Sequence, residues 1–192
     1  MNGYNVKPVA RSDCLDMILN IHYAGRVPSI SYAYGLFRGI GMVGCITYGS
    51  PASPSLCKGV CGEGYRKSVI ELNRLVLLDN ERNEASHLIG TSLKLLGGER
   101  DYIVVSYSDS AQKHAGIVYQ ATNFLFTGTS KSRTDMAAKD GKHSRHHSGD
   151  RSNRVYRSAK HRYITFVGNR RFRVKARKDL NYPVLPYPKG QE

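Results

Sequence analysis

The sequence predicts an α/β fold in which one mixed central sheet is flanked by helices. Strand patterns alternate along the chain with two amphipathic segments of helical period, an arrangement typical of this class. The segment over residues 102–105 is apolar, aromatic or β-branched and uncharged, which predicts a short buried strand. The 192 residues, with 40% hydrophobic content, are enough for a single domain, 1–192, with a sizeable core.

The first half of the chain is predicted to supply three strands and one helix. Pro8 lacks a backbone N–H and therefore places the first strand at an edge of the sheet. Ser12-Asp13 offers the N-cap of the helix, and Gly25 ends it. A glycine-rich link makes the next two strands an antiparallel pair. In order, the elements are a strand over 4–10, a helix over 12–25, strands over 31–37 and 42–48, and a loop over 49–64.

Two charged side chains interrupt the apolar alternation of the next strand, over residues 68–78. Glu71 and Arg74 would point to opposite faces of a regular strand. Because a buried charge without a partner is costly, these residues indicate either a cleft or internal ion pairs. The cleft is the preferred interpretation for Glu71.

The second half is predicted to add one long helix, one short helix and several strands. The long helix begins at Asn83 or Ser86, keeps an apolar stripe of helical period and is expected to stop at Gly97-Gly98. The later elements are strands over 102–105, 124–127 and 162–167, a short helix around 110–114, and a strand at 172–174 that pairs back before a proline-rich tail.

Positive charge is concentrated near the end of the chain. The net charge is +14, and residues 129–178 hold sixteen Lys or Arg against three acids, which accounts for thirteen of those charges. Residues 129–159 lack apolar periodicity and are predicted to be a flexible basic insertion before the last strand. Such a patch is either a solubilising surface or a binding surface for a polyanion, and the interleaved aromatic residues favour nucleic acid. The candidate contacts are Lys142, His143, Arg145, Lys160, Arg162 and Tyr163.

The sequence also predicts the cellular location of the protein. It contains no apolar run of eighteen residues and no signal-peptide layout, which predicts a soluble cytoplasmic protein with no membrane partner. Four cysteines in a chain of this kind do not indicate a disulfide framework. Cys57 and Cys61 have no second ligand pair at zinc-finger spacing, so a structural zinc site is not predicted.

Groups that can move protons follow the strand over 102–105. Asp109 comes at its end, with His114 five and Tyr119 ten positions further on. In α/β folds, ligands commonly bind at the carboxyl ends of strands. Two interpretations remain open: a helix cap with packed side chains, or a catalytic site. The pair His22-Tyr23, next to the glycine turn that ends the first helix, has the same two interpretations.

Six blocks of sequence carry a resemblance to one family. They are IHYAGRVPS (21–29), YGLF with GCITYGSPAS (34–53), VIELNRLVL (69–77), SYSDSAQKHAGIVYQATNF (106–124), KHRY (160–163) and YPK (187–189). In this order the blocks resemble the Mom family of phage DNA-modification proteins, and the succession of elements resembles the GNAT acyltransferase fold. The resemblance implies a phage-encoded enzyme in the bacterial host that converts adenine in DNA to N6-carbamoylmethyladenine, which protects the DNA from host restriction.

The resemblance also implies which residues act. The family's proposed active-site residues match His22, Tyr23, Glu71, Asp109 and Tyr119. In the mechanism we expect, Tyr23 or Tyr119 lines a pocket for a flipped base, Asp109 accepts a proton through His22, and Glu71 orients one of these groups. The group donor is left open between acyl-CoA and a glycine-derived donor such as an aminoacyl-tRNA. A bound iron, a tRNA partner and a homodimer are further options that the sequence leaves open.

One segment departs from the GNAT pattern. That fold normally follows its fourth strand with a glycine-rich loop that holds the coenzyme A pyrophosphate, but here no glycine occurs between Leu78 and Gly90. Two other functions stay in view: an N-acetyltransferase acting on a small amine or a protein, and a DNA-binding protein without catalytic activity.

Overall fold

Seven strands form one mixed sheet in the order β1-β2-β3-β4-β5-β9-β6 in the computed structural model, which describes residues 3–112, 115–136 and 154–189. β4 and β5 pair in parallel, and the other neighbouring pairs are antiparallel. The strands of this sheet are β1 (Tyr4–Pro8), β2 (Tyr32–Arg38), β3 (Gly41–Gly49), β4 (Val69–Leu77), β5 (Tyr102–Asp109), β6 (Leu125–Thr129) and β9 (Lys160–Val167). The helices are α1 (Leu15–Asn20), α2 (Pro54–Gly59), α3 (Glu84–Glu99), α4 (Ile117–Ala121) and α5 (Arg170–Lys178).

Helices cover both faces of the sheet, as predicted for an α/β fold. In the buried strand β5, Val104 packs into a cluster with α3 and α4, whereas its neighbour Ile103 packs into a cluster with Ala176 of α5. In β3, Ile46 joins the first cluster and Cys45 packs with α1. Because successive strand residues point to opposite faces, α3 and α4 lie on one face, and α1, α2 and α5 lie on the other.

The two ends of the predicted basic insertion form a separate ribbon. β7 (Arg133–Met136) pairs antiparallel with β8 (Arg154–Arg157), and this ribbon leads directly into β9. Residues 137–153 lie outside the described part of the chain. Within the part that is described, no helix is long and apolar enough to cross a membrane.

A bulge in β4 changes the predicted positions of its charged residues. Thr47 of β3 pairs with Arg74 and the next residue pairs with Leu72, so Asn73 is an extra residue in β4. The expectation that Glu71 and Arg74 point to opposite faces assumed a regular strand and therefore does not hold. Their charges interact with each other instead.

Two helix ends differ from the prediction. α1 ends at Asn20, because the amides of Ile21 and His22 both bond to the Met17 carbonyl and the chain leaves the helix there. His22 therefore follows the helix rather than lying on its face. α3 continues past Gly97 to Glu99, since that glycine serves close packing: a Cβ there would lie 2.7 Å from the backbone nitrogen of Gly168.

Two segments that were predicted to be non-helical contain helices. Residues 172–174 belong to α5 rather than to a strand, and the Asn169 side chain caps that helix by accepting from the amide of Phe172 at 2.8 Å. The loop predicted over 49–64 includes α2, which begins with Pro54 after a Ser53 cap. Both caps are local sequence signals for a helix. They were outweighed in the prediction by the many charged residues of 170–178 and by the prolines of 49–64.

Gly116 is required where the chain enters α4. It has φ of 70°, and a Cβ at this position would lie 2.6 Å from ring atoms of the buried Tyr163. We expect Gly116→Ala to lower the free energy of unfolding by about 2 kcal/mol or more, since the left-handed conformation and the contact both penalise a side chain. Chemical denaturation measures this. Gly98→Ala is the matched control: nothing lies within 4 Å of its Cβ, so it should be neutral or slightly stabilising.

Candidate active site

A cavity of about 650 Å³ opens where β4 and β5 separate. The two strands pair only from Val69 to Leu72 on β4, opposite Ile103 to Ser106 on β5, and the cavity lies beyond that ladder. Its walls come from the segment after α1, the second half of β4, the end of β5, and α4. This volume is in the range of small-molecule sites. The lining side chains that carry chemistry are His22, Tyr23, Asn73, Arg74, Tyr107, Ser108, Asp109 and Tyr119.

Asp109 lies at the end of β5 with its carboxylate well supported. Its Oδ1 accepts from the Ser158 hydroxyl and, at 3.0 Å, from the Ala111 amide, and its Oδ2 lies 3.3 Å from Lys160 Nζ. Burial acts to raise the pKa of Asp109, but these hydrogen bonds and the ammonium hold it below its ordinary value. The carboxylate is thus ionised at neutral pH. Because it has about four lone-pair positions, one is left for a ligand.

Tyr119 projects from α4 into the core beside the cavity. Its hydroxyl lies 2.9 Å from Ser106 Oγ, which donates its one proton to the Leu72 carbonyl at 3.0 Å, and burial raises the pKa of Tyr119 to about 12. The rings of Phe124 and Tyr163 pack against it at 5.3 and 5.0 Å. Because Ser106 gives its proton to Leu72, the protonated Tyr119 hydroxyl is the donor in its own contacts, to Ser106 Oγ or to a ligand.

His22 and Tyr23 form the opposite wall of the cavity. Their rings stack at 4.4 Å, and Tyr23 is 54% exposed. Nδ1 of His22 accepts from the Ala24 amide at 3.1 Å, so in the neutral ring the proton is on Nε2. In this arrangement His22 is a hydrogen-bond donor, which differs from the expected relay of a proton from the substrate to Asp109.

Glu71 lies close to the cavity but is not one of its lining residues. Burial raises the pKa of its carboxyl, against the opposing charges of Arg74 and Lys160. Its charge also contributes to the raised pKa of Tyr107, which does line the cavity. Glu71 therefore influences the electrostatics of the cavity without lining it.

We expect Glu71→Gln to increase stability at neutral pH. Because the pKa of Glu71 is higher in the folded state than in the unfolded state, the free energy of unfolding falls as the pH rises through the folded-state pKa. Gln carries no charge, so the variant does not lose this stability. The advantage should vanish under acidic conditions, where glutamate is protonated in both states. Thermal unfolding as a function of pH measures this. Glu63→Gln should show the opposite sign, because a hydrogen bond from Lys58 lowers the pKa of Glu63; equal effects of both substitutions would contradict the assignment.

Arg74 is a cavity residue whose role sequence reasoning did not assign. Its guanidinium donates to the carbonyls of Asn73 at 2.6 Å and Arg26 at 3.0 Å, and its buried Nε has no hydrogen-bond partner among the described residues. Burial lowers its pKa, and the nearby Arg26 adds to this effect. A charged residue in an apolar strand was the available signal, but the bulge that aims it into the cavity depends on strand pairing.

The predicted nucleic-acid contacts fall into three groups. Lys160 is partly exposed beside Asp109, at the rim of the cavity. Arg162 donates to Thr127 and stacks over the ring of Tyr182 at 3.5 Å, so its guanidinium already has protein partners. Tyr163 is completely buried and donates to the Ala115 carbonyl, which places it in the core rather than on a nucleic-acid surface. Lys142, His143, Arg145 and also His114 lie outside the described residues.

Comparison with known proteins decides the family. The family model of the Mom protein family matches residues 3–189. The chain belongs to the Mom family. This Mom family member is 32% identical over 189 residues to the methylcarbamoylase Mom of Escherichia phage Mu, an alignment that covers 88% of this chain and 76% of the relative.

Solved structures confirm the predicted GNAT fold of this Mom family member. Arabidopsis thaliana NAA60 in complex with a bisubstrate analogue superposes with a TM-score of 0.54 at 14% identity, covering 86% of this chain and 98% of that chain. Arabidopsis thaliana Naa50, in complex with a bisubstrate analogue containing CoA, gives 0.53 at 11% identity, covering 85% and 98%. At such identities the similarity shows the fold alone.

The described part of this Mom family member lacks a cluster of residues that could hold iron. Among residues 3–112, 115–136 and 154–189, no three His, Cys, Asp or Glu side chains come together as a ligand set. Asp109 and Glu71 are the acidic groups nearest the cavity, and Asp109 already contacts Lys160. The described residues therefore supply no iron site.

Proposed function

We propose that this protein modifies phage DNA by transferring a carbamoylmethyl group to the exocyclic amine of adenine, which protects the DNA from host restriction. The observation that carries the proposal is the convergence of Tyr23, Asp109 and Tyr119 on one cavity, from three separate parts of the chain. Membership of the Mom family and similarity to a phage methylcarbamoylase support this reaction. The net charge of +14 supports a nucleic-acid substrate.

An adenine amine inside a duplex is stacked and paired, so the base must leave the helix to react. Extruding a base costs a few kcal/mol, which stacking on an aromatic side chain can offset. Tyr23 is suited to this role because its stacked ring is about half exposed at the cavity wall. Tyr119 is not, because its ring is buried and packs against Phe124 and Tyr163.

The adenine nitrogen bonds to the carbonyl carbon of the donor, the bond from that carbon to the leaving oxygen breaks with its electron pair on the oxygen, and the nitrogen loses one proton, which balances the charge on the leaving group. The amine is a poor nucleophile because its lone pair is delocalised, so the positive charge that develops on it needs support. The ionised Asp109 accepts a hydrogen bond from the amine and then its proton; even a carboxylate with a lowered pKa suffices, since an arylammonium is a strong acid. Tyr119 and His22 Nε2 donate hydrogen bonds to oxygen of the transferred group.

The residues at the start of α3 do not fit the pyrophosphate of coenzyme A. In the GNAT fold this helix N-terminus binds the phosphates, but here the completely buried carboxylate of Glu84 occupies it and accepts from the Glu81 amide at 2.8 Å. The carboxylates of Asp79 and Glu81 are adjacent and pair with Arg38. A polyphosphate would be repelled at this position.

The chemistry of the product favours a donor other than acetyl-CoA. An acetyl group has no nitrogen, whereas a carbamoylmethyl group contains one, so acetyl transfer alone does not give the product. A glycyl group from an aminoacyl-tRNA has the same atoms as a carbamoylmethyl group. Its transfer releases the tRNA hydroxyl, and an isomerisation that exchanges the two nitrogens then gives the product without an oxidant or reductant. We therefore favour the glycine-derived class of donor over coenzyme A thioesters.

The deciding experiment weighs the nucleosides of DNA from cells that express the protein. Digestion and mass spectrometry should show a deoxyadenosine heavier by one carbamoylmethyl group, and fragmentation against a synthetic standard should distinguish it from the N6-glycyl isomer of equal mass. A deoxyadenosine heavier by an acetyl group would indicate ordinary acyl transfer. Unmodified DNA, together with tight DNA binding by the purified protein, would indicate a binding protein and overturn the proposed function.

A further inference from the structure

α5 has an unusual surface that the predicted nucleic-acid contacts did not include. Six of its nine residues are Lys or Arg, and all six are exposed. Among the residues that the structure describes, none of the six forms a salt bridge with a carboxylate. The six are Arg170, Arg171, Arg173, Lys175, Arg177 and Lys178.

The helix is firmly attached to the protein, so its outer face is presented rigidly. Ala176 is completely buried, and Phe172, one turn earlier, packs edge-on against Tyr65 at 6.0 Å. The Asn169 cap is itself held by Asp101, which accepts from the Asn169 amide at 2.7 Å. With the apolar side facing the protein, the basic residues fill the remaining arc of the helix.

The charge distribution on α5 disfavours the helix itself. Arg171 and Lys175, and likewise Arg173 and Arg177, are like-charged pairs four residues apart, each of which destabilises a helix by about 0.2–0.5 kcal/mol. Arg170 and Arg171 also lie at the positive end of the helix dipole. A polyanion bound along the outer face would relieve both effects.

We propose that the outer face of α5 binds the phosphate backbone of the DNA substrate. α5 lies on the same face of the sheet as α1, which leads directly to the His22-Tyr23 wall of the cavity. Beyond α5 the chain places Tyr182 under Arg162, whose strand partner Tyr107 lines the cavity. A duplex that rests on α5 therefore lies on the side from which a flipped base enters.

An anionic membrane surface is the other ligand for a basic helix, and the geometry disfavours it. Helices that lie on membranes insert an apolar face, but Phe172 and Ala176 are turned towards the protein. Val174, 64% exposed, is the one apolar side chain on the outer arc of α5. A phosphate backbone requires only the cations.

The test compares DNA affinity across a salt series, measured by fluorescence anisotropy with a labelled duplex. R171Q/K175Q and R173Q/R177Q should each weaken binding at moderate salt by about tenfold and reduce the slope of log K against log salt by about 2, one contact per lost cation. Melting temperatures should be unchanged or higher, because like-charge repulsion is removed. The matched control R82Q/K94Q makes the same charge change at exposed residues on the α3 side and should leave the slope unaltered.

The proposal is overturned if both α5 variants keep the wild-type affinity and slope, or if the control variant loses as much as they do. Binding of the wild type, but not the variants, to phosphatidylglycerol vesicles with unchanged DNA affinity would assign α5 to membranes instead. The proposed α5 surface rests on the proposed function in one respect, namely that DNA is the ligand; it does not depend on the reaction. Wild-type protein that binds DNA through α5 but leaves deoxyadenosine unmodified would refute the proposed reaction and not the α5 surface.

Discussion

Asp109→Asn should reduce formation of modified deoxyadenosine by about 10² to 10⁴-fold, the range typical of a lost acid or base. The substitution keeps the shape of the side chain and removes its charge and its ability to take a proton. Affinity for DNA should stay within about twofold, because the side chain lies inside the cavity and is nearly inaccessible. Nucleoside mass spectrometry measures the first quantity and anisotropy the second.

Two further variants isolate the cause of that loss. Asp79→Asn makes the same chemical change at an exposed aspartate that pairs with Arg38 and does not line the cavity, and it should retain modification activity. The double variant D109N/K160Q removes the ion pair without leaving the ammonium alone. If D109N/K160Q regained activity, an unpaired Lys160 would explain the defect of D109N, and Asp109 would not be the proton acceptor.

Short-range patterns were sufficient for most of the sheet. The link at Gly39 predicted the β2-β3 pair, and Pro8 predicted an edge strand, because turn and ladder requirements depend on residues close in sequence. The alternation over 68–78 likewise predicted β4. For these strands, the local residue preferences, the turn residues and the final strand pairing all favour the same structure, and this agreement makes them predictable.

Features that depend on distant contacts were not predictable in the same way. The bulge at Asn73 exists only because β3 pairs with β4, yet it is what turns Arg74 into the cavity. Gly97 looked like a helix stop because its packing partner, Gly168, is distant in sequence. α5 was missed because its charges conceal an apolar face of only two residues.

The candidate site combines both kinds of information. Asp109 was predictable from its place at the carboxyl end of a buried strand, where α/β folds hold ligands. The family resemblance added His22, which is brought opposite Asp109 only because α1 ends early and the chain turns at Gly25. The separate roles that we propose for Tyr23 and Tyr119 depend on their different exposure, which no local sequence pattern encodes.

Tyr119→Phe should lower the rate of modification by about 10² to 10³-fold, as expected when one donor to a developing oxyanion is removed. Ser106 gives its one proton to the Leu72 carbonyl, so the phenolic proton of Tyr119 can turn from Ser106 Oγ to a ligand oxygen, and a pKa of about 12 keeps that proton in place at neutral pH. DNA affinity should not change, because the side chain is buried. Single-turnover modification of a duplex, with binding measured in parallel, checks both expectations.

Tyr48→Phe provides the control that separates catalysis from packing. Tyr48 is completely buried, and its hydroxyl lies 2.7 Å from Ser92 Oγ, so it repeats the tyrosine and serine pair at a position that does not line the cavity. Both substitutions should lower the free energy of unfolding by about 1 kcal/mol. Only Tyr119→Phe should slow modification. If the two variants lost activity equally and in proportion to stability, the Tyr119 hydroxyl would be a structural group, and the transferred oxygen would need another donor.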